Sequence, residues 1–293
     1  MPKRSSLLSL LLVAGLWVVA QPAAQGQALV PYVLQLDSEQ LEQQGLGLAQ
    51  EAAQLAQFQQ YELALARAQL ASQLLPENAD VWALLGSLYL QLGEVDPGIQ
   101  SLLRARRLDA NNSGVLFALG SAYFQKENYN LAIQYIMSGL RLRPDVPGAL
   151  FDLGNAYYML EQFDDAIDQY RKAVDIDAEF WPAINNIGLV LYEQGDMAGA
   201  LQKWEAAAAI DETQAEPQLA IAVLLYAQGE TEAALEKGEA ALLLDSRYAD
   251  LEYLRINLWG DRLLEDAEAF LSQPQIREAL ARISPPQDNT MPQ

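Results

Sequence analysis

Apolar residues recur along this chain at helical spacing, and the pattern breaks at regular intervals. Leu150, Leu153, Gly154 and Tyr157 stand at i, i+3, i+4 and i+7, the stripe of one helix face. Glu161-Gln162 reads as turn material. Phe163, Ala166, Ile167, Tyr170, Ala173 and Val174 then lay the same stripe on a second helix, which ends at Asp177-Ala178-Glu179. Small residues hold this two-helix unit in register. Gly86, Gly120, Gly154 and Gly188 lie 34 residues apart, with Ala52 and Ala222 continuing the series. A second series is Ala64, Gly98, Ala132, Ala166, Ala200 and Ala234, and a third is Ala71, Ala105, Gly139, Ala173, Ala207 and Ala241. The three registers stay in phase for six periods without insertion or deletion. A side chain reduced to H or CH3 lets the neighbouring helix come to the short end of the usual range of about 8–10 Å. The larger Leu, Phe and Tyr fill the space between successive pairs.

On these residues the chain resembles the tetratricopeptide repeat family, whose pattern is W-x2-L-G-x2-Y followed by A, F, A and P at set offsets. Trp82, Leu85, Gly86 and Tyr89 match the first part in full. Leu116…Leu119-Gly120…Tyr123, Leu150…Leu153-Gly154…Tyr157 and Ile184…Ile187-Gly188…Leu191 are successive variants of it. Ala132, Ala166 and Ala200 hold the first alanine of the second helix. The resemblance covers 45–248 in frames 45–78, 79–112, 113–146, 147–180, 181–214 and 215–248. It departs from the family at the ends: Glu51 replaces Leu in the first frame, and the sixth has Gln218 for Trp and Gly238 for Phe. The family proline is kept at Pro76 and Pro144 only. The resemblance implies an all-α fold, a right-handed superhelical solenoid of helix-turn-helix pairs.

The flanks read differently. Lys3 and Arg4 precede an apolar run from Leu7 to Ala20 and a small-residue stretch from Ala23 to Ala28, the order of a secretory signal peptide over 1–28. Two cleavage points fit, after Ala20 or after Ala28; an uncleaved N-terminal anchor is the alternative. Residues 29–44 read as a linker and the start of a capping helix, with Asp37 and Gln40 at capping-box spacing. Residues 249–283 read as C-terminal capping helices, a seventh copy broken at Pro274, and 284–293 as a polar, Pro-rich disordered tail.

Charge and composition narrow the chemistry. Asp and Glu number 39 against 18 Lys and Arg, a formal charge of −21, which disfavours a nucleic-acid partner. With no Cys and no His, thiolate and imidazole metal sites, Cys or His nucleophiles, Ser-His-Asp triads and disulfides are excluded. No cofactor, metal or small-molecule substrate is expected. A glycosidase-like carboxylate pair would need a pocket, and the unbroken period leaves no insertion to build one. The acidic stretch Asp164 to Glu179 lacks the spacing and central Gly of a calcium loop and reads as a solvated face. Arg104, Arg106, Arg107, Arg141 and Arg143 fall on second helices or their ends, where they either balance carboxylates or meet an acidic partner or anionic lipid.

In the family the first helix of each pair lines the concave surface. By that resemblance the second, fifth, sixth, ninth, twelfth and thirteenth positions of each frame face inward. They supply Ser87, Leu90, Phe117, Ser121, Phe124, Gln125, Phe151, Asp152, Asn155, Tyr158, Asn185, Asn186, Leu189, Tyr192 and Glu193. Aromatic side chains offer large contact area at low entropy cost, and amides can bond a peptide backbone, so the expected ligand is a peptide or helix of a client protein. Tyr at the twelfth and Asn at the ninth position also occur in the family irrespective of ligand. None of these inner residues is basic, which argues against the family's carboxylate clamp. The expected function is a non-enzymatic scaffold or assembly factor, with a peripheral or anchored membrane-surface module as the alternative. Its expected compartment is the periplasm or, from the resemblance to exported cyanobacterial and plastid proteins, the thylakoid lumen.

Overall fold

The structure is a computed structural model and describes residues 37–283. Among these residues there are fifteen α-helices, one 3-10 turn and no strand. Twelve helices form six consecutive pairs: α1 (Ser38–Gln57) with α2 (Tyr61–Leu74), α3 (Ala79–Gln91) with α4 (Val95–Leu108), α5 (Ser113–Gln125) with α6 (Tyr129–Leu142), α7 (Pro147–Tyr158) with α8 (Phe163–Ile176), α9 (Trp181–Glu193) with α10 (Met197–Ile210), and α11 (Ala215–Ala227) with α12 (Thr231–Leu244). Each second helix packs on the first helix of the next pair. The expected helix-turn-helix pairs are therefore present. A helix does start within 29–44: residues 38–44 are the opening turns of α1. The segments read as signal peptide, extended linker and tail (1–28, 29–36 and 284–293) lie outside the described residues.

One turn recurs in all six pairs. The fifteenth residue of each frame is left-handed: Gly93, Gly195 and Gly229 at φ 76°, 87° and 87°, and Gln59, Glu127 and Glu161 at 58°, 57° and 57°. The next residue's N–H then reaches back to a carbonyl inside the first helix, as in Glu94 to Tyr89 (2.8 Å), Asn128 to Tyr123 (2.9 Å) and Gln162 to Tyr157 (3.0 Å). That is a Schellman closure, which caps orphan carbonyls and sends the second helix back along the first. Glycine takes this conformation without a Cβ penalty; the two glutamates and the glutamine bear it.

The eighth and twenty-fourth positions of each frame face each other across the pair and compensate in size. A Cβ on Gly86, Gly120, Gly154 or Gly188 would run into Leu102, Ile136, Tyr170 or Trp204 respectively. Where the eighth residue is alanine, the twenty-fourth is small: Ala52 with Ala68, and Ala222 with Gly238. All the alanines in the three small-residue registers, including Ala132, Ala166 and Ala200, are fully buried. Of the remaining signature residues, Leu85 is buried, and Trp82 and Tyr89 are partly buried with their polar atoms bonded: Trp82 Nε1 to the Pro76 carbonyl, and Tyr89 Oη from Gln69 (both 2.9 Å).

Past the sixth pair the period fails. The 3-10 turn Ser246–Ala249 leads to α13 (Leu251–Ile256), a helix of only 6 residues. Leu258 takes φ 66°, and the chain turns back. α14 (Asp261–Leu271) then packs on α9 and α11, and α15 (Pro274–Ile283) on α12. Pro274 is the first residue of α15, where a missing N–H is harmless, so the break expected there opens a further helix. Phe270 of α14 occupies the space that Gly238 and Ala222 leave empty, so the last pair receives its large side chain from elsewhere in the chain.

The packing rule at the eighth position makes a stability prediction. A Cβ at Gly188 would stand 2.5 Å from Trp204 Nε1, so Gly188→Ala is expected to cost about 1–3 kcal/mol by overpacking. In a Trp204→Leu background the same change should cost less than about 1 kcal/mol, because the colliding ring is gone. Urea denaturation of the four chains in the cycle measures the difference.

Candidate functional site

Burial divides the residues that the family resemblance turns inward on the first helices into two stretches. On α3, α5 and α7 the stretch is open. Ser87 and Gln125 are exposed, and Leu90, Ser121, Phe124, Asp152 and Asn155 are partly exposed. On α9 and α11 it is closed: Asn185, Tyr192 and Leu219 have no exposed surface, and Asn186 and Leu189 are buried, as is Tyr158 at the end of α7. The cover is the chain's own C-terminal segment. Of the fifteen residues expected to form one groove, seven keep accessible surface, Phe117 and Phe151 are partly committed to the fold, and the other six are buried or, for Glu193, bonded by α14.

The seal is polar as well as apolar. Leu263, Ala267 and Phe270 of α14 are fully buried. Glu193, the thirteenth residue of its frame, accepts the N–H groups of Arg262 (3.2 Å) and Leu263 (3.1 Å). It thereby caps the N-terminus of α14 from another helix, a favourable place for a carboxylate. A side chain at Gly260 would strike that carboxylate, so the close approach needs glycine there. Tyr192 Oη donates to Asp266 (2.6 Å), and the Arg262 guanidinium lies 5.7 Å from the centre of the Tyr192 ring. Gln273 donates to Tyr226 Oη at 2.5 Å. The segment between α13 and α14 covers Tyr158 through Leu258.

Beneath this cover runs a buried hydrogen-bonded chain. Tyr170 Oη and Asn186 Nδ2 both donate to Asn155 Oδ1 (2.8 and 3.0 Å), and Asn185 Nδ2 donates to Asn186 Oδ1 (3.2 Å). Trp204 Nε1 donates to the Asn185 carbonyl (3.2 Å), while Asn185 Oδ1 is buried without a hydrogen-bond partner. At the far end Glu216 accepts from Trp259 Nε1 (3.2 Å) and Tyr248 Oη (3.5 Å). Burial pushes the Glu216 carboxyl up to about 7, against the opposing pull of those two donors and the Asn185 amide. Glu216 escaped the sequence reading although it occupies the inward second position of its frame; a carboxylate there was the available signal. Trp259 could not be assigned from the period, because it lies where the period stops.

The open half is shallower and wetter. Phe117 and Phe151 are partly committed to the fold: Phe117 packs over Gly139, and Phe151 lies 5.8 Å from the Tyr170 ring and 5.6 Å from Phe180. Leu90 likewise packs over Gly98 while keeping part of its surface exposed, and Ser121, Phe124, Gln125, Asp152 and Asn155 keep accessible surface beside it. A recess of about 130 Å³ is lined by Ser121, Phe124, Asp152 and Asn155 among others. Asp152 accepts one long bond, from Ser121 Oγ (3.4 Å), and burial raises its carboxyl to about 6.

The arginine cluster is largely engaged within the fold. Arg104 bonds Glu77 (2.6 Å), Arg106 bonds Tyr135 Oη (2.9 Å) and lies over its ring, and Arg141 bonds Ser138. Arg107 and Arg143 are exposed. Among the described residues no group of three or more acidic side chains is placed to hold a metal ion, and no helix is long and apolar enough to cross a membrane.

Known families and structures agree with this architecture. The tetratricopeptide repeat model matches residues 79–112 and 113–146, and the TPR repeat model matches 154–195 and 188–229. No curated protein sequence matches the chain. Among solved structures, PilF of Pseudomonas aeruginosa is similar at a TM-score of 0.61 and 18% identity, covering 75% of this chain and 98% of that one. MamA from Desulfovibrio magneticus RS-1 is similar at 0.54 and 18%, covering 61% and 98%. YrrB, described as a TPR protein with an unusual peptide-binding site, is similar at 0.50 and 21%, covering 59% and 90%.

The buried Glu216 predicts a pH-dependent stability. Its folded pKa of about 7 lies above the ordinary 4.5, so the stability it confers is full below about pH 4.5 and is lost as pH rises through 7. The loss across that window is about 3 kcal/mol for a fully buried group. Thermal melts at pH 5 and pH 8 should show a smaller fall for Glu216→Gln than for the parent chain.

Proposed function

We propose that this chain, a tetratricopeptide repeat protein by its repeats and by its fold, is a scaffold that holds a segment of a partner protein in the open half of its inner groove. The repeats and the fold support protein interaction in general; the groove assignment rests on one observation. A helix already lies in this groove. α14 is seated across α9 and α11, its apolar face on Leu219 and Leu189 country and its first turn capped by Glu193. The neighbouring stretch on α3, α5 and α7 offers the same frame positions with no other described element over them.

The energetics favour a helical or extended peptide segment over a small molecule. The open surface is a run of separate features spaced by the 34-residue period: Ser87 and Leu90, then Ser121, Phe124 and Gln125, then Asp152 and Asn155. A segment that spans two or three pairs can use all of them, with Leu90 and Phe124 supplying apolar contact and the amide and hydroxyls supplying direction. The reading assigns the groove no chemistry on its ligand. The likeness to YrrB, at 21% identity, concerns the fold, so the assignment stands on the residues of this chain.

The proposal extends to an exported compartment. Lys3-Arg4, the apolar run from Leu7 to Ala20 and the small residues that follow support it, as does a chain without cysteine.

Two experiments test these readings. The chain used as bait in its native extract should retain a protein that Phe124→Ala with Leu90→Ala loses, while Tyr192→Phe, changed inside the closed half, retains it; quantitative mass spectrometry reads the outcome. An unchanged retained set would remove the groove assignment. For export, expression of the full chain in a Gram-negative host should yield periplasmic protein whose N-terminus begins at Gln21 or Leu29. Recovery of an intact Met1 in the cytoplasm would contradict it.

A further inference from the structure

At the closed end, three carboxylates are each met by a donor from another element. Glu193 receives two backbone N–H groups of α14, Glu216 receives the indole of Trp259 and the hydroxyl of Tyr248, and Asp266 of α14 receives the hydroxyl of Tyr192. The pattern is consistent: an acid on one wall faces a donor on the other. Asp152 on α7 breaks it. It sits on the floor of the open half, in the sixth position of its frame, where Asn186 stands one repeat later. Its one bond is the 3.4 Å contact from Ser121, and no Lys or Arg among the described residues pairs with it. Lys126, at the C-terminal end of α5, is held by Asp96 at 2.5 Å.

A half-buried acid with so weak a partner is a cost to the fold unless something else uses it. The small recess around it, walled by Ser121, Phe124 and Asn155, has room for the head of one side chain. Its lining suits a cation: a carboxylate for the charge, an aromatic ring beside it, and the Ser121 hydroxyl to accept a remaining N–H group, with Asn155, whose Oδ1 is held by Tyr170 and Asn186, as a wall. The closed half shows the related arrangement, with the Arg262 guanidinium over the twelfth-position Tyr192 next to the acidic Glu193. Phe124 is the twelfth-position residue of the open half.

We propose that Asp152, with Phe124, Ser121 and Asn155, forms a cation-accepting subsite that selects partner segments carrying a Lys or Arg at one fixed position. The proposal rests on the groove reading above and specifies its ligand: a basic residue on an amphipathic helix, the opposite charge preference to a carboxylate clamp. The strong acidic balance of the chain favours approach of such a segment. The titratable group that faces Asp152 from the packed elements is Tyr170 on α8, whose hydroxyl burial holds well above its ordinary range, so it stays neutral. The subsite should therefore lose its charge as pH falls through about 6, where burial has moved the Asp152 carboxyl.

The test is selection of displayed random peptides, each long enough for about four helical turns, on the full chain at pH 8. The selected peptides should share one Lys or Arg with apolar residues three and four places away. Changing that residue to Ala should lower affinity about tenfold on the parent chain and less than twofold on Asp152→Asn. Binding should weaken between pH 8 and pH 5 on the parent and stay flat on Asp152→Asn. That variant is isosteric and removes a desolvated charge, so it should melt no lower than the parent at pH 8. Selection on Asp152→Lys should replace the basic residue by Asp or Glu. Peptides that lose binding with Phe124→Ala but share no basic position would overturn the subsite and leave the groove reading standing. Peptides indifferent to both Phe124→Ala and Asp152→Asn would overturn both.

Discussion

The contact between the eighth residue of a first helix and the twenty-fourth residue of its frame governs this molecule. Two helix backbones come so close that only one of the two positions can carry bulk. Four pairs resolve this with glycine against Leu102, Ile136, Tyr170 and Trp204, a side chain that grows along the chain while the glycine stays. The first pair uses alanine on both sides. The last pair has Ala222 and Gly238, too little to fill the space, and a void there would forfeit dispersion contacts on every wall. Phe270 fills it from α14. The rule that stacks the pairs therefore also draws the C-terminal segment inward, and the position of that segment decides how much groove remains.

That consequence reaches the chemistry of the inner surface. Under α14 the surface is dry, and its polar groups are tied in a chain from Asn155 to Glu216. Apart from Asn185 Oδ1, these buried amides and carboxylates have hydrogen-bond partners, and the network gives the closed half one arrangement. The open half keeps the same kind of residues in water or half in water, where they are free to exchange solvent for a ligand. Identical frame positions thus do different work: Tyr192 is a wall of the core, and Phe124, two frames earlier, is a surface.

Much of this was legible in the residues. The period, the three small-residue registers and the turn at Glu161-Gln162 specify helices that pair and stack, because each is satisfied by contacts within a frame or with the next one. A repeat encodes its neighbours and little else. The paired helices and the buried alanines follow from that local information alone; that the first helices face inward is what the family resemblance implies. Even the departure at Gly238 was visible as a missing aromatic, though nothing in the period says what replaces it.

What replaces it is a contact between residues far apart in sequence, as with Tyr192 and Asp266, separated by 74 positions. No periodic pattern registers such a pairing, since it occurs once and involves the stretch where the period has ended. The residues by themselves settled that the chain is a stack of helical pairs with an aromatic, amide-rich inner face. Only the tertiary structure decided which part of that face is covered. The reason is volume: a hole left by two small residues in the sixth pair is filled by whichever apolar helix the folded chain can bring over it.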